Sequence, residues 1–177
     1  MEPLVIENKV IAVMGNDVDT DIIFPTRYIA AFEEAEVARH VFEDYDPGFR
    51  AKAKDGGIIL AGKNFGCGSA REQAATALKG GGARLIIARS FSRSFYRNGI
   101  NVGLPLLEIE KLPRDFAAEG DQLSVRLNEG MLVNLTSGAK MPFEPPSAFI
   151  LAVMQAGGIF KYYQQTDGYK NIEAFSK

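Results

Sequence analysis

The sequence predicts a single α/β domain spanning residues 1–177, on three observations. Apolar runs at Gly57–Ala61, Leu85–Ala88 and Leu104–Ile109 alternate with segments of helical composition at Ala70–Lys79 and Phe91–Asn98. Such alternation is the pattern of βαβ units on a parallel sheet. Gln122–Leu127 and Met131–Thr136 then alternate in period two about Asn128-Glu129-Gly130, which marks a β-hairpin. No internal repeat, low-complexity stretch or shift of composition divides the chain.

Taken in order, Leu4–Ile6 and Val10–Met14 read as two short strands rich in β-branched residues. A polar loop follows, Gly15-Asn16-Asp17-Val18-Asp19-Thr20-Asp21, and then Ile22-Ile23-Phe24-Pro25. Residues Ala31 to Tyr45 have helical composition and lead into a turn at Asp46-Pro47-Gly48. After the alternating middle and the hairpin, Ser147–Gln155 and Ile159–Gln164 read as two short helices split by Gly157-Gly158.

Composition excludes several functions. Hydrophobic residues make up 46% and charged residues 24% of the chain, as in an ordinary globular protein. The formal charge is −2 without runs of one sign, so neither nucleic acid nor an anionic membrane is an expected partner. No apolar stretch reaches bilayer length and the start lacks a secretory pattern, so a cytoplasmic protein is expected. Cys67 is the single cysteine and His40 the single histidine. One thiol cannot hold an iron–sulfur cluster, and one imidazole makes no zinc cluster. Either the chemistry is metal-free, or the metal belongs to another chain.

Lys63-Asn64-Phe65-Gly66-Cys67-Gly68-Ser69-Ala70-Arg71-Glu72 runs from a strand through a glycine-rich loop into a helix start. Gly66 and Gly68 permit a sharp bend and close approach to a ligand. Ser69 and Arg71 at a helix start suit a carboxylate, which the free amides and the guanidinium would hold. Equally, Ser69-Ala70-Arg71-Glu72 fits a capping box that only satisfies the helix's first donors. A nucleotide loop fits less well, because both the G-x-x-x-x-G-K-[ST] pattern and the third glycine of a dinucleotide fingerprint are missing. Asp17, Asp19 and Asp21 lack the glycine and distal glutamate of a calcium loop and read as a solvated turn, or as a turn placing Asp21 at a site shared with Ser69.

Three motifs together resemble a known family. Asn16-Asp17-Val18-Asp19-Thr20-Asp21-Ile22-Ile23-Phe24-Pro25, Gly66-Cys67-Gly68-Ser69-Ala70-Arg71-Glu72 and Ser90-Phe91-Ser92-Arg93-Ser94-Phe95-Tyr96-Arg97-Asn98 are similar, in order and spacing, to the small subunits of isopropylmalate dehydratases. Those subunits in turn resemble the swivelling β/β/α C-terminal domain of aconitase. The resemblance spans about residues 10 to 110.

The resemblance implies a hydro-lyase of leucine biosynthesis that interconverts 2- and 3-isopropylmalate by dehydration and rehydration. It implies a large partner subunit, in a heterodimer or heterotetramer, with a 4Fe-4S cluster whose open iron acts as a Lewis acid; this chain would carry no cofactor. By the same resemblance Ser69 matches the catalytic base, Asp21 an active-site aspartate and Arg71, beside Gly68, a ligand of the substrate carboxylate. Ala70 stands where aconitase has a second serine. The loop Tyr28-Ile29-Ala30-Ala31 corresponds to the segment that selects the substrate. Homoaconitases, which take a further carboxylate, tend to place an arginine just after the Tyr-Leu pair. Small apolar Ala30 and Ala31 favour an alkyl group there, while Arg27 lies close enough to reach a carboxylate if the loop curls back. Related alternatives are homoaconitase and citramalate or dimethylmalate dehydratase.

Phe91, Phe95 and Tyr96 have helical spacing and are expected in the core. Cys67 is expected to be inert and His40 an ordinary surface or packing residue.

Overall fold

The architecture turns on one strand, Val5–Val13 (β1), in a computed structural model that describes residues 4–166. Single-turn helices α1 (Thr20–Ile23), α2 (Glu34–Val37) and α3 (Phe49–Lys52) follow it. Then come β2 (Gly57–Ala61), α4 (Glu72–Gly80), β3 (Ala83–Ala88), α5 (Arg93–Val102) and β4 (Leu106–Glu108). The chain continues through β5 (Gln122–Arg126), β6 (Met131–Asn134) and β7 (Lys140–Pro142) to α6 (Ala148–Ala156) and α7 (Ile159–Gln165).

All seven strands form one sheet in the order β4-β3-β2-β1-β5-β6-β7. The first half of β1 pairs antiparallel with β5, from Val5 opposite Arg126 to Lys9 opposite Gln122. Its second half pairs parallel with β2, with Val10 opposite Ile58 and Val13 opposite Leu60. Thus β1 joins a parallel half, β1 to β4, to an antiparallel half. The parallel strands are covered on both faces. Ile11, Ile59 and Ile86 meet Ala74, Leu78 and Phe95 of α4 and α5 on one side. Ile58, Leu85 and Ile87 meet Leu123, Leu132 and α6 residues Leu151 and Val153 on the other. Burial on two faces explains why β2 and β3 read as unbroken apolar runs.

The structure corrects four expectations. The two opening strands are one, because Glu7 stays in the ladder opposite Ser124 and accepts a 2.7 Å hydrogen bond from its buried hydroxyl. The segment Ala31 to Tyr45 is not one helix. α2 ends at Val37, a 3-10 turn covers Ala38–His40, and Phe42 takes a left-handed φ of 51°. That turn lets Val41 and Phe42 enter the core, where Phe42 packs edge-on against Phe49 at 4.8 Å. Tertiary burial overrides a helix-permissive composition there. The hairpin carries a third strand, β7, on its outer edge. Finally, α4 begins at Glu72, with Arg71 as its N-cap and no capping side chain, so the capping box does not form. The terminal helices appear as read, with Ser147 capping α6.

Among the described residues no helix is long and apolar enough to cross a membrane.

Candidate functional site

Because β1, β2 and β3 run parallel, their carboxyl ends lie along one sheet edge. The loops that leave this edge, at residues 14–19, 62–71 and 89–92, are adjacent for that reason alone, the position where open α/β sheets place ligands. They are sewn together through the backbone. Asp17 donates its amide to the Lys63 carbonyl, Gly66 to Val18 and Thr20 to Cys67, each at 2.8 Å. Isolated bridges pair Asp19 with Cys67 and Phe65 with Phe91. Three motifs separated by tens of residues therefore form one surface.

Each carboxylate of the first loop has a separate partner. Asp17, at a left-handed φ of 56°, accepts from Asn64 Nδ2 at 2.8 Å. Asp19 caps α1 by accepting from the Asp21 amide at 2.8 Å. Asp21 is exposed and faces Arg71 in an ion pair. Among the described residues no group of three or more His, Cys, Asp or Glu is disposed to hold a metal.

Arg71 organises the centre. Its side chain is only 11% exposed. Nη1 donates to the Thr26 hydroxyl at 3.2 Å, and that hydroxyl donates in turn to Asp21 Oδ1 at 2.8 Å. Nη2 meets Asp21 as an ion pair outside hydrogen-bond alignment, and the buried Nε has no hydrogen-bond partner among the described residues. A buried guanidinium donor left in this state is costly unless an anion reaches it.

Ser69 lies two residues before this arginine on an exposed loop tip. Its carbonyl accepts from the buried Thr20 hydroxyl at 3.0 Å and from the Arg71 amide at 2.8 Å, so the backbone is held while the side chain stays open to solvent. The glycines make that tip possible. Gly68 has φ +86° and would drive a Cβ into the Asp19 carboxylate, and Gly66, at φ +76°, into the Phe95 ring. Phe95 packs edge-to-face on Phe65, both buried under the loop, and stacks on the partly buried Phe91. We expect Gly66→Ala to destabilise the protein by about 2–5 kcal/mol through the left-handed strain and the clash together. An unfolding free energy from urea titration within about 0.5 kcal/mol of wild type would show the loop to be far more yielding than this packing implies.

The segment Tyr28-Ile29-Ala30-Ala31 lies beside the start of α4. Tyr28 is half-buried and Ile29 and Ala30 are exposed, whereas Ala31 turns inward at 8% exposure. Gln73 of α4 holds the Ile29 carbonyl at 3.3 Å. Arg27 does not lie free beside this segment, because Asp44 and Glu43 hold it. Cys67 is a poor nucleophile. Burial first, then the charges of Asp19 and Asp17, push its thiol above the ordinary value and keep it protonated.

The structure thus brings Gly68, Ser69, Arg71 and Asp21 together, with Ile29 tied to the adjoining α4 through Gln73, and leaves most of them exposed. Sequence reasoning missed Thr20 and Thr26, whose hydroxyls join the motifs, and the contacts of His40, Glu43 and Asp44. Nothing in their spacing marks them, since their partners are distant in sequence or lie across a turn.

Residues 22–112 match the model of the aconitase C-terminal domain family. The chain is 42% identical to the 3-isopropylmalate dehydratase small subunit of Thermodesulfovibrio yellowstonii over 90% of its own length and 94% of that protein. It is 45% identical to the methanogen homoaconitase small subunit of Methanothermobacter thermautotrophicus, covering 86% of this chain and 87% of the relative. The crystal structure of a 3-isopropylmalate dehydratase chain from Methanocaldococcus jannaschii superposes with a TM-score of 0.84 at 35% identity, covering 96% of this chain and 99% of that one.

Proposed function

Because this chain belongs to the aconitase C-terminal domain family, we propose that it is the small subunit of a 3-isopropylmalate dehydratase, which interconverts 2- and 3-isopropylmalate in leucine biosynthesis. The observation that carries this reading is the Ser69–Arg71–Asp21 surface, assembled by hydrogen bonds yet open to solvent. An enzyme that abstracts a proton beside a carboxylate needs an enclosed site, and this face is half of one. A large subunit supplies the other half in this proposal. The 4Fe-4S cluster belongs there too, since this chain offers a single thiol and its described residues form no ligand set for such a group.

The roles follow from geometry. Arg71 grips one substrate carboxylate with its guanidinium. Asp21 and Thr26 fix the guanidinium in that position. Ser69 takes the proton from the carbon next to the carboxylate while hydroxide leaves the neighbouring carbon, so the elements of one water are removed from the substrate and an alkene remains. Returning the proton to the other carbon, with hydroxyl added at the first, completes the isomerisation. A serine base requires its alkoxide to be stabilised, which Arg71 nearby and the start of α4, uncapped by any side chain, are placed to do. Ile29 and Ala30 offer the alkyl substituent an apolar contact, where a further carboxylate would lose hydration without gaining a partner.

The test is turnover of 3-isopropylmalate by this chain mixed anaerobically with its reconstituted large subunit, beside each component alone. Formation of the unsaturated diacid only in the mixture is expected. Turnover by this chain alone would overturn the proposal. Inactivity with a partner of verified cluster content would replace isopropylmalate by another alkyl-substituted hydroxy acid.

A further inference from the structure

Arg27 directly follows Thr26, the residue whose hydroxyl joins Asp21 to Arg71, so a second guanidinium stands next to the substrate-carboxylate machinery. The structure engages it elsewhere, with its side chain 47% exposed. Nη1 and Nη2 fork onto the two oxygens of Asp44 at 2.5 and 2.8 Å, and Nη2 also reaches Glu43 Oε1 at 3.1 Å. Cζ lies 4.7 Å from the centre of the Tyr28 ring. That ring is fixed in turn: its hydroxyl donates to Glu43 at 2.9 Å, and His40 stacks on it at 3.6 Å. His40 Nδ1 closes the network on the other oxygen of Glu43.

Two carboxylates therefore face one guanidinium. The Arg27 bond to Asp44 holds that carboxyl below its ordinary value, and His40, Tyr28 and Arg27 do the same for Glu43, so both are ionised at neutral pH. A third carboxylate approaching Arg27 meets a net negative charge and finds the planar fork already taken.

We propose that Glu43 and Asp44, with Tyr28 and His40, are positioning residues that hold Arg27 out of the substrate site and thereby restrict it to alkyl-substituted malates. This inference rests on the function proposed above. It explains how a chain with an arginine beside its selectivity loop can still favour an alkyl group, and it makes selectivity depend on Glu43, Asp44 and His40, which lie outside that loop.

The test uses the complex reconstituted with the large subunit and three probes. These are 3-isopropylmalate, and isocitrate and homoisocitrate, which carry a carboxymethyl or carboxyethyl group in place of isopropyl. In Glu43→Gln/Asp44→Asn, the ratio of kcat/KM for the tricarboxylates to that for isopropylmalate is expected to rise about tenfold, mainly through KM, as one charge-assisted contact becomes available. Adding Arg27→Met to that background is expected to remove the gain. If the double variant does not assemble, Asp44→Asn alone, which preserves shape, is expected to move the ratio the same way. Equal losses for all substrates would overturn the inference, since they describe a merely structural clamp. A gain that survives Arg27→Met would overturn it as well. A wild-type complex inert toward 3-isopropylmalate would instead defeat the functional reading beneath it.

Discussion

Ser69→Ala is expected to lower kcat of the reconstituted complex by about 100- to 10,000-fold, the range of a positioned proton-transfer group, with KM nearly unchanged. Stability is the control that makes the result readable. Had Ser69 capped α4, its loss would cost about 1 kcal/mol and blur the interpretation. The cap is Arg71, and the Ser69 backbone carbonyl, not its hydroxyl, receives the Thr20 bond. The variant should therefore melt with wild type to within about 0.5 kcal/mol and bind the large subunit equally well. A complex retaining wild-type kcat would remove Ser69 from proton transfer and point to a base on the partner.

Arg71→Lys is expected to weaken substrate binding by about 10- to 100-fold, seen chiefly in KM, although the charge is kept. The guanidinium reaches Thr26 and Asp21 at once, and an ammonium, with a shorter reach and no planar fork, cannot satisfy both. Asp21 would lose its ion-pair partner at the same time, so Asp21→Asn combined with Arg71→Lys should cost less than the sum of the single changes. Additive losses would mean that the ion pair present here opens when substrate binds. An unchanged KM would show that Arg71 supports the loop without touching substrate.

The two residues illustrate how legible the site was. Ser69, Arg71 and Asp21 stand in compact motifs whose residue types carry their chemistry, so sequence singled them out. Thr20 and Thr26 are as central to the geometry, yet a threonine's role appears only when its partner, 49 or 45 residues away, is seen beside it. His40 read as an ordinary packing residue, because nothing local shows that it stacks on Tyr28. Arg27 read as a residue that could reach the substrate, and the carboxylates that hold it lie 16 and 17 residues on, within a segment read as helix.

The sequence by itself determined the strand–helix alternation of the middle, the hairpin, the terminal helices and the glycine-rich tip, because each depends on period, turn chemistry or local backbone freedom. Only tertiary structure decided that β1 is one strand serving two sheet halves, that residues 31–45 turn at Phe42 instead of continuing as a helix, and that α4 starts at Glu72. In each case a distant partner outweighs a weak local preference: Ser124 for Glu7, Phe49 for Phe42 and Asp21 for Arg71. Burying an aromatic side chain or satisfying a charge is worth a few kcal/mol, whereas helix propensities differ by a few tenths per residue.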